Sequence, residues 1–267
     1  MDNFWKTVLN FTETATTTIG EKLLKEFGSA KAEQKADGSL ITHCDLWSDS
    51  YLRQQIGQIF PSHGILSEEG EHRLPVRDWC WIIDPLDGTT NFARGIPLWG
   101  ICLALLYQGT PVFGYVHIPP LNQSFHGFWY GSSGLSGPTG AFLNYQPITP
   151  TTEPPDYNQF LGLGSRSIGL APKLPTKVRV MGMAAYNFLL VASGSSVAGI
   201  EPSAKIWDIA APWVIVQASG AVWHSLEPQP IFPLRIQQDY GHRPYPTLVV
   251  SDQKWVSTFL PLIDFGS

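Results

Sequence analysis

The stretch that most constrains this chain runs Trp81-Ile82-Ile83-Asp84-Pro85-Leu86-Asp87-Gly88-Thr89-Thr90-Asn91-Phe92. A short apolar run closed by turn residues reads as a buried strand. Here it ends in two carboxylates flanking a Pro-Leu pair, followed by a Gly-Thr-Thr-Asn turn. A strand end of this kind sets acidic oxygens beside free backbone N–H groups. Carboxylates at this spacing suit a hard cation such as Mg²⁺, which prefers oxygen ligands and keeps bound waters. The N–H groups of Gly88 and Thr89, if they open a helix, suit a phosphate. The plainer alternative is a capped turn in which Asp84 and Asp87 only satisfy backbone donors.

The rest of the chain narrows the choice. Its 267 residues are 43% hydrophobic and 15% charged, enough for one large core or two subdomains sharing an interface. The net charge is −5 with no block of lysines and arginines, so nothing forms an electrostatic footprint for nucleic acid. An acidic protein that handles an anion needs a local source of positive charge, and bound metal is the obvious one. Cys44, Cys80 and Cys102 are odd in number and lack metal-ligand spacing, which reads as free thiols in a reducing compartment. The N-terminus lacks the basic region and apolar core of a signal peptide. No apolar run approaches the ~20 residues of a membrane span. A soluble, cytoplasmic protein with no nucleic-acid or membrane partner is expected.

Along the chain, Phe4, Val8, Phe11, Ala15, Ile19, Leu23 and Phe27 recur at three- and four-residue steps, predicting an amphipathic helix over 3–27 that Gly28 stops. A turn at Asp37-Gly38 with an adjoining strand comes next. A second helix should carry Leu52, Ile56 and Ile59 inward and end before Pro61. Thr42 and Asp45 have the spacing of an N-cap and its partner. Residues 64–67 form a short strand ending in Glu68-Glu69, ordinarily a solvated pair. Strands over 98–107 and 111–118 make a hairpin around Gln108-Gly109, and 124–130 adds another. By composition 131–155 resembles a linker, interrupted by Pro154-Pro155. Beyond it, 160–163, 178–180, 197–200, 221–223 and 247–250 are strand candidates, and 184–192, 207–219 and 255–262 are helices. Asp208 opens the second of these helices as an N-cap would, with Pro212 near its first turn.

Asp84-Pro85-Leu86-Asp87-Gly88-Thr89-Thr90-Asn91-Phe92 resembles the signature of the inositol monophosphatase family of Mg²⁺-dependent, often lithium-sensitive phosphatases. Trp207-Asp208-Ile209-Ala210-Ala211 resembles the family's other signature, and Glu68-Glu69 matches its paired glutamates. Gly140 to Asn144 resembles a segment within the family's sheet, with Tyr145 in place of the usual turn glycine. The resemblance implies an α/β fold, an αβαβα sandwich whose site lies between two halves, residues 1–150 and 151–267. It implies two or three Mg²⁺ ions per site. One would use Glu68, Asp84 and the carbonyl of Leu86, and a second Asp84, Asp87 and Asp208. A third, weaker ion would sit near Glu68.

The same resemblance makes Asp45 a carboxylate linked with Thr89 to the attacking water, which is compatible with its capping role. Around the phosphate it places Asp87, Gly88, Thr89 and Asp208. Gly182, Ala184 and Glu201 match the substrate-recognition positions, with Ser165 of the same sort; Glu201 read alone is an exposed loop carboxylate beside Pro202. Four unpaired carboxylates cannot crowd together without taking up protons, a conflict that divalent cations resolve. Cys44 invites a covalent mechanism, but no histidine is arranged to activate it. Three departures from the family pattern bear on specificity and packing. Met183 replaces a smaller residue, the 70–78 loop is short, and Ala218-Ser219-Gly220-Ala221 replaces Ala-Gly-Gly.

The expected function is hydrolysis of a small phosphomonoester, inositol monophosphate first, by a homodimer. Histidinol phosphate, a sugar bisphosphate or a 3′-phosphonucleotide are the alternatives. A regulatory binding protein with little activity is the reading from another class.

Overall fold

The computed structural model describes residues 2–36 and 38–264, so Asp37 of the expected turn lies outside the described residues. In chain order the elements are α1 (Asp2–Glu26), β1 (Ala32–Gln34), β2 (Leu40–Thr42), α2 (His43–Ile59), β3 (Gly64–Ser67) and β4 (Trp79–Asp87). Then come α3 (Thr89–Ala93), β5 (Gly100–Tyr107), β6 (Thr110–Ile118), β7 (Gln123–Phe128), β8 (Gly140–Leu143), β9 (Gln146–Pro147) and β10 (Phe160–Leu163). The chain closes with β11 (Lys177–Arg179), α4 (Ala184–Ala192), β12 (Ala198–Glu201), α5 (Ile206–Ser219), β13 (Val222–Ser225), β14 (Thr247–Val250) and α6 (Val256–Phe259).

Two sheets dominate. The first has seven strands in the order β3-β4-β5-β6-β7-β8-β9, with β3 parallel to β4 and antiparallel pairing beyond. The second has the order β11-β10-β12-β14-β13, parallel up to β12 and antiparallel after it. The layering follows from β4. Its alternate residues point to opposite faces, yet both sets are apolar, because both faces of the sheet are covered. Trp81 and Ile83 pack with Val8, Phe11, Ile19 and Leu23 of α1 and with Leu52 and Ile56 of α2. Cys80 and Ile82 pack on the other side with Phe188 of α4 and Ile209 and Ile215 of α5. The second sheet then packs its Leu161, Leu163, Ile200 and Val250 against Val256 and Phe259. Helices, sheet, helices, sheet, helix is the expected αβαβα order.

Local chemistry explains the details. The apolar face of α1 includes Thr12 and Thr16, whose hydroxyls donate to the carbonyls of Val8 and Thr12 at 3.2 and 2.8 Å, so both can be buried. Gly28 ends the helix with φ +73°, and its N–H donates to the Phe92 carbonyl at 3.0 Å. That bond ties the first helix to the signature turn. At the β5–β6 hairpin both Gln108 and Gly109 have positive φ, as a two-residue turn between twisted strands requires.

The structure departs from several expectations. Ile59, expected inward, is 43% exposed, because it lies at the last position of α2. The single closing helix over 255–262 is instead two 3₁₀ turns flanking the four-residue α6. In α5 the N-cap is Lys205, so Asp208 is the third helical residue and Pro212 the seventh, well past the first turn. Residues 226–246, for which no element was expected, cross to the first sheet. The Leu234 N–H donates to the Gly109 carbonyl, and the 237–240 backbone bonds to His72 and Leu74.

Candidate functional site

The site grows from the end of β4. Pairing with β5 slips between Asp84 and Asp87, because Pro85 has no N–H to give to the ladder. Both carboxylates thereby stand at the C-terminal end of β4, beside α5. The Leu86 N–H folds back onto Asp84 Oδ1 at 3.0 Å. Gly88 then turns the chain with φ +88°, and a Cβ there would stand 3.0 Å from the Leu98 carbonyl, so two constraints demand glycine. The turn opens the five-residue α3. Thr89 Oγ1 sits 3.0 Å from both Asp45 Oδ1 and the Leu86 carbonyl. The other Asp45 oxygen accepts the Thr42 N–H at 2.8 Å, so one carboxylate both caps α2 and reaches the signature turn.

Two other elements complete the cluster. Asp87 Oδ2 accepts the Ala185 N–H at 3.0 Å, anchoring it to the first turn of α4. Asp208 Oδ2 accepts the Lys205 N–H at 2.7 Å, which fixes it as the side chain that closes the start of α5. The result places carboxylate oxygens of Asp84, Asp87 and Asp208 within 4.8 Å of one another. Glu68 lines the same hollow of about 200 Å³, together with Ser39, Leu40, Leu86, Gly88, Thr89, Thr90 and Gly182. Glu68 is not a member of the tight trio; Lys35 Nζ bonds it at 2.9 Å and also engages Glu69.

The electrostatics state what is missing. Burial, then the charges of Glu68, Asp87 and Asp208, pushes the Asp84 carboxyl well above the usual range. Burial and Asp208 push Asp87 up to about 8. Burial and Glu68 take Asp208 to about 7. Burial raises Glu68 to about 7 despite Lys35. Backbone donors hold these groups in place without neutralising them. The donor set is all oxygen, carboxylates with a nearby carbonyl, which fits a hard divalent cation and not a soft metal that prefers sulfur or imidazole.

Other expected site residues fall elsewhere. Gly182 borders the hollow with φ +74°, and Ala184 begins α4 beside it. Glu201 is buried, not exposed, and accepts a bond from Asn187 Nδ2 at 2.5 Å. Ser165 is exposed at the head of a 3₁₀ turn. Met183, expected to alter the pocket, is 1% exposed and points into the core toward Gly100. Asn91 has a structural role that no motif assigns it. Its amide donates at 2.8 Å to the carbonyls of both Leu98 and Met181, lacing the signature turn to the segment before α4. Its place inside the signature turn is the one sequence signal that could have marked it. Lys35 carried no such signal.

The model of the inositol monophosphatase family matches residues 5–251. A histidinol-phosphatase from Mycobacterium tuberculosis is 29% identical over 74% of this chain and 78% of its own. A fructose-1,6-bisphosphatase/inositol-1-monophosphatase from Thermotoga maritima is 30% identical over 80% of this chain and 83% of its own. Among solved structures, a Thermotoga maritima IMPase superposes with TM-score 0.79 at 24% identity, covering 95% of both chains.

Proposed function

The chain belongs to the inositol monophosphatase family of metal-dependent phosphomonoester hydrolases, and from that premise we propose that it cleaves a small phosphorylated polyol, inositol monophosphate first. The observation that carries this reading is the meeting of Asp84, Asp87 and Asp208 from two distant parts of the chain. Glu68, Asp84 and the Leu86 carbonyl would hold one Mg²⁺, Asp84, Asp87 and Asp208 a second, and Glu68 a weaker third. Such ions, when bound, lower the pKa of a water and neutralise phosphoryl oxygens.

The protein's own groups do the rest. Thr89 and Asp45 orient the water, and Asp45 takes its proton. Burial raises the Asp45 carboxyl above the ordinary range despite bonds from Thr42 and Thr89, which suits a proton acceptor. Asp87, Gly88, Thr89 and Asp208 surround the phosphate. Gly182, Ala184, Glu201 and Ser165 face the alcohol. Residues 1–150 would supply Glu68, Asp84 and Asp87, and residues 151–267 Asp208 and Glu201, with chemistry at their junction.

The test is a panel of inositol monophosphate, histidinol phosphate, fructose bisphosphate and a 3′-phosphonucleotide, assayed with Mg²⁺ and then with EDTA. Inositol monophosphate should give the highest kcat/KM, and EDTA should abolish it. A preference for histidinol phosphate would establish the second reading, which the similarity to the mycobacterial histidinol-phosphatase favours. Asp84→Asn should lower activity more than about a hundredfold, since even outer partners of a metal site cost 10–100-fold. A regulatory binding role would survive that change. A cytoplasmic homodimer sensitive to lithium belongs to the same proposal; the three buried free cysteines support the reducing compartment. Light scattering and assays in LiCl test the dimer and the inhibition.

A further inference from the structure

Three segments converge on one imidazole just outside the acidic cluster. His72 Nε2 lies 2.8 Å from the backbone carbonyl of Glu68. A carbonyl only accepts, so Nε2 carries the proton and donates. The ring packs on Trp207, with centroids 5.1 Å apart and planes inclined by 31°. Trp207 is buried and immediately precedes Asp208. The His72 carbonyl accepts the Tyr240 N–H at 3.0 Å, and Leu74 bonds to both Gln237 and Gln238. Gly241 closes the ring's far side so tightly that a Cβ would stand 2.2 Å from Nδ1. The 237–241 strap therefore presses His72 between the turn that bears Glu68 and the helix that bears Asp208.

We infer that His72 is a positioning residue, whose N–H to the Glu68 carbonyl holds Glu68 in register with Asp208 for cation binding. This rests on the metal-dependent reading above. Glu68 belongs to a turn after a short edge strand, where its N–H donates to the Ile83 carbonyl at 3.1 Å, and its side chain is held by Lys35 alone among the described contacts. Asp208 is fixed by its own helix. Holding the turn against Trp207 makes the distance between the two acids a property of the fold, as the outer partners of metal ligands commonly do.

The experiment titrates Mg²⁺ or Mn²⁺ alone into the full-length protein by calorimetry and compares three variants with the parent. His72→Phe keeps a ring on Trp207 and removes the donor. His72→Gln keeps a donor at the Nε2 reach and removes the ring. Gly241→Ala touches no acid but displaces His72. His72→Phe and Gly241→Ala should weaken metal binding about 10–100-fold. His72→Gln should stay within threefold of the parent. Steady-state kinetics should show the metal-activation midpoint rising in the first two, with kcat recovered at saturating Mg²⁺. Unchanged affinity in His72→Phe, or in a folded Gly241→Ala, overturns the inference. So does a His72→Gln as weak as His72→Phe. A parent protein that binds no cation would sink the metal-dependent reading itself, a distinct result.

Discussion

Burial holds the Glu201 carboxyl up to about 7, while the Asn187 amide works against the shift and the charge of Asp87 adds to it. The folded chain then keeps a proton on Glu201 that the unfolded chain releases near its ordinary 4.5. Stability from this group is therefore full below about 4.5 and is lost as pH rises toward 7, because the unfolded state binds fewer protons in that window. Glu201→Gln removes the penalty. Melting curves should show the variant more stable than the parent at pH 8, by at most about 3 kcal/mol, and equal to it at pH 4. A variant less stable at pH 8 would mean that Glu201 has a cationic partner in the folded protein. Asn91 makes an opposite kind of contribution. Asn91→Ala strips donors from two carbonyls, and two lost bonds with their unsatisfied acceptors should cost about 2–4 kcal/mol in denaturant unfolding.

At the scale of elements, the approach of β6 to α5 depends on one missing methyl. A Cβ on Gly114 would stand 2.3 Å from the Ala211 carbonyl, whereas one on Gly169 would meet nothing within 4 Å. Gly114→Ala should destabilise by about 1–3 kcal/mol through overpacking and lower activity by moving the helix that bears Asp208. Gly169→Ala should do neither; equal urea midpoints for the two variants would refute the argument. Most elements were legible in the sequence because their signals are local. The α1 stripe, the apolar β4 run, the Gln108-Gly109 turn and the bounds of α4 all depend on neighbours a few residues away. What the sequence hid depends on partners far along the chain. The cap of α5 moved to Lys205 because the Asp208 side chain reaches back to it. Tyr145 holds φ +63°, a conformation its own sequence disfavours, with its hydroxyl bonded to Glu13. The 226–246 segment has no periodicity, since its order comes from bonds to Gly109, His72 and Leu74. The signature acids were readable as a pattern, whereas the ties made by Lys35, Asn91 and His72 are created by folding.

For the molecule as a whole, the acidic cluster couples stability to cations and to pH together. Asp84, Asp87, Asp208 and Glu68 all have raised carboxyls, so the cation-free fold holds protons that the unfolded chain releases above about 4. Stability without metal should fall as pH climbs from 4 to 8. A divalent ion competes with those protons. Adding Mg²⁺ after EDTA should therefore raise the Tm by about 5 °C or more at pH 8 and by much less at pH 5. Equal shifts at both pH values would show that the ion does not bind at these acids. No helix among the described residues is long and apolar enough to cross a membrane.

Three of those acids are made by residue 87, and the last arrives only with α5, wedged between the two sheets. A chain that stops short of it lacks the acid that the proposed second ion requires. On the proposed ligand set, full occupancy by cations waits until α5 has docked between the sheets, and hydrolysis waits with it.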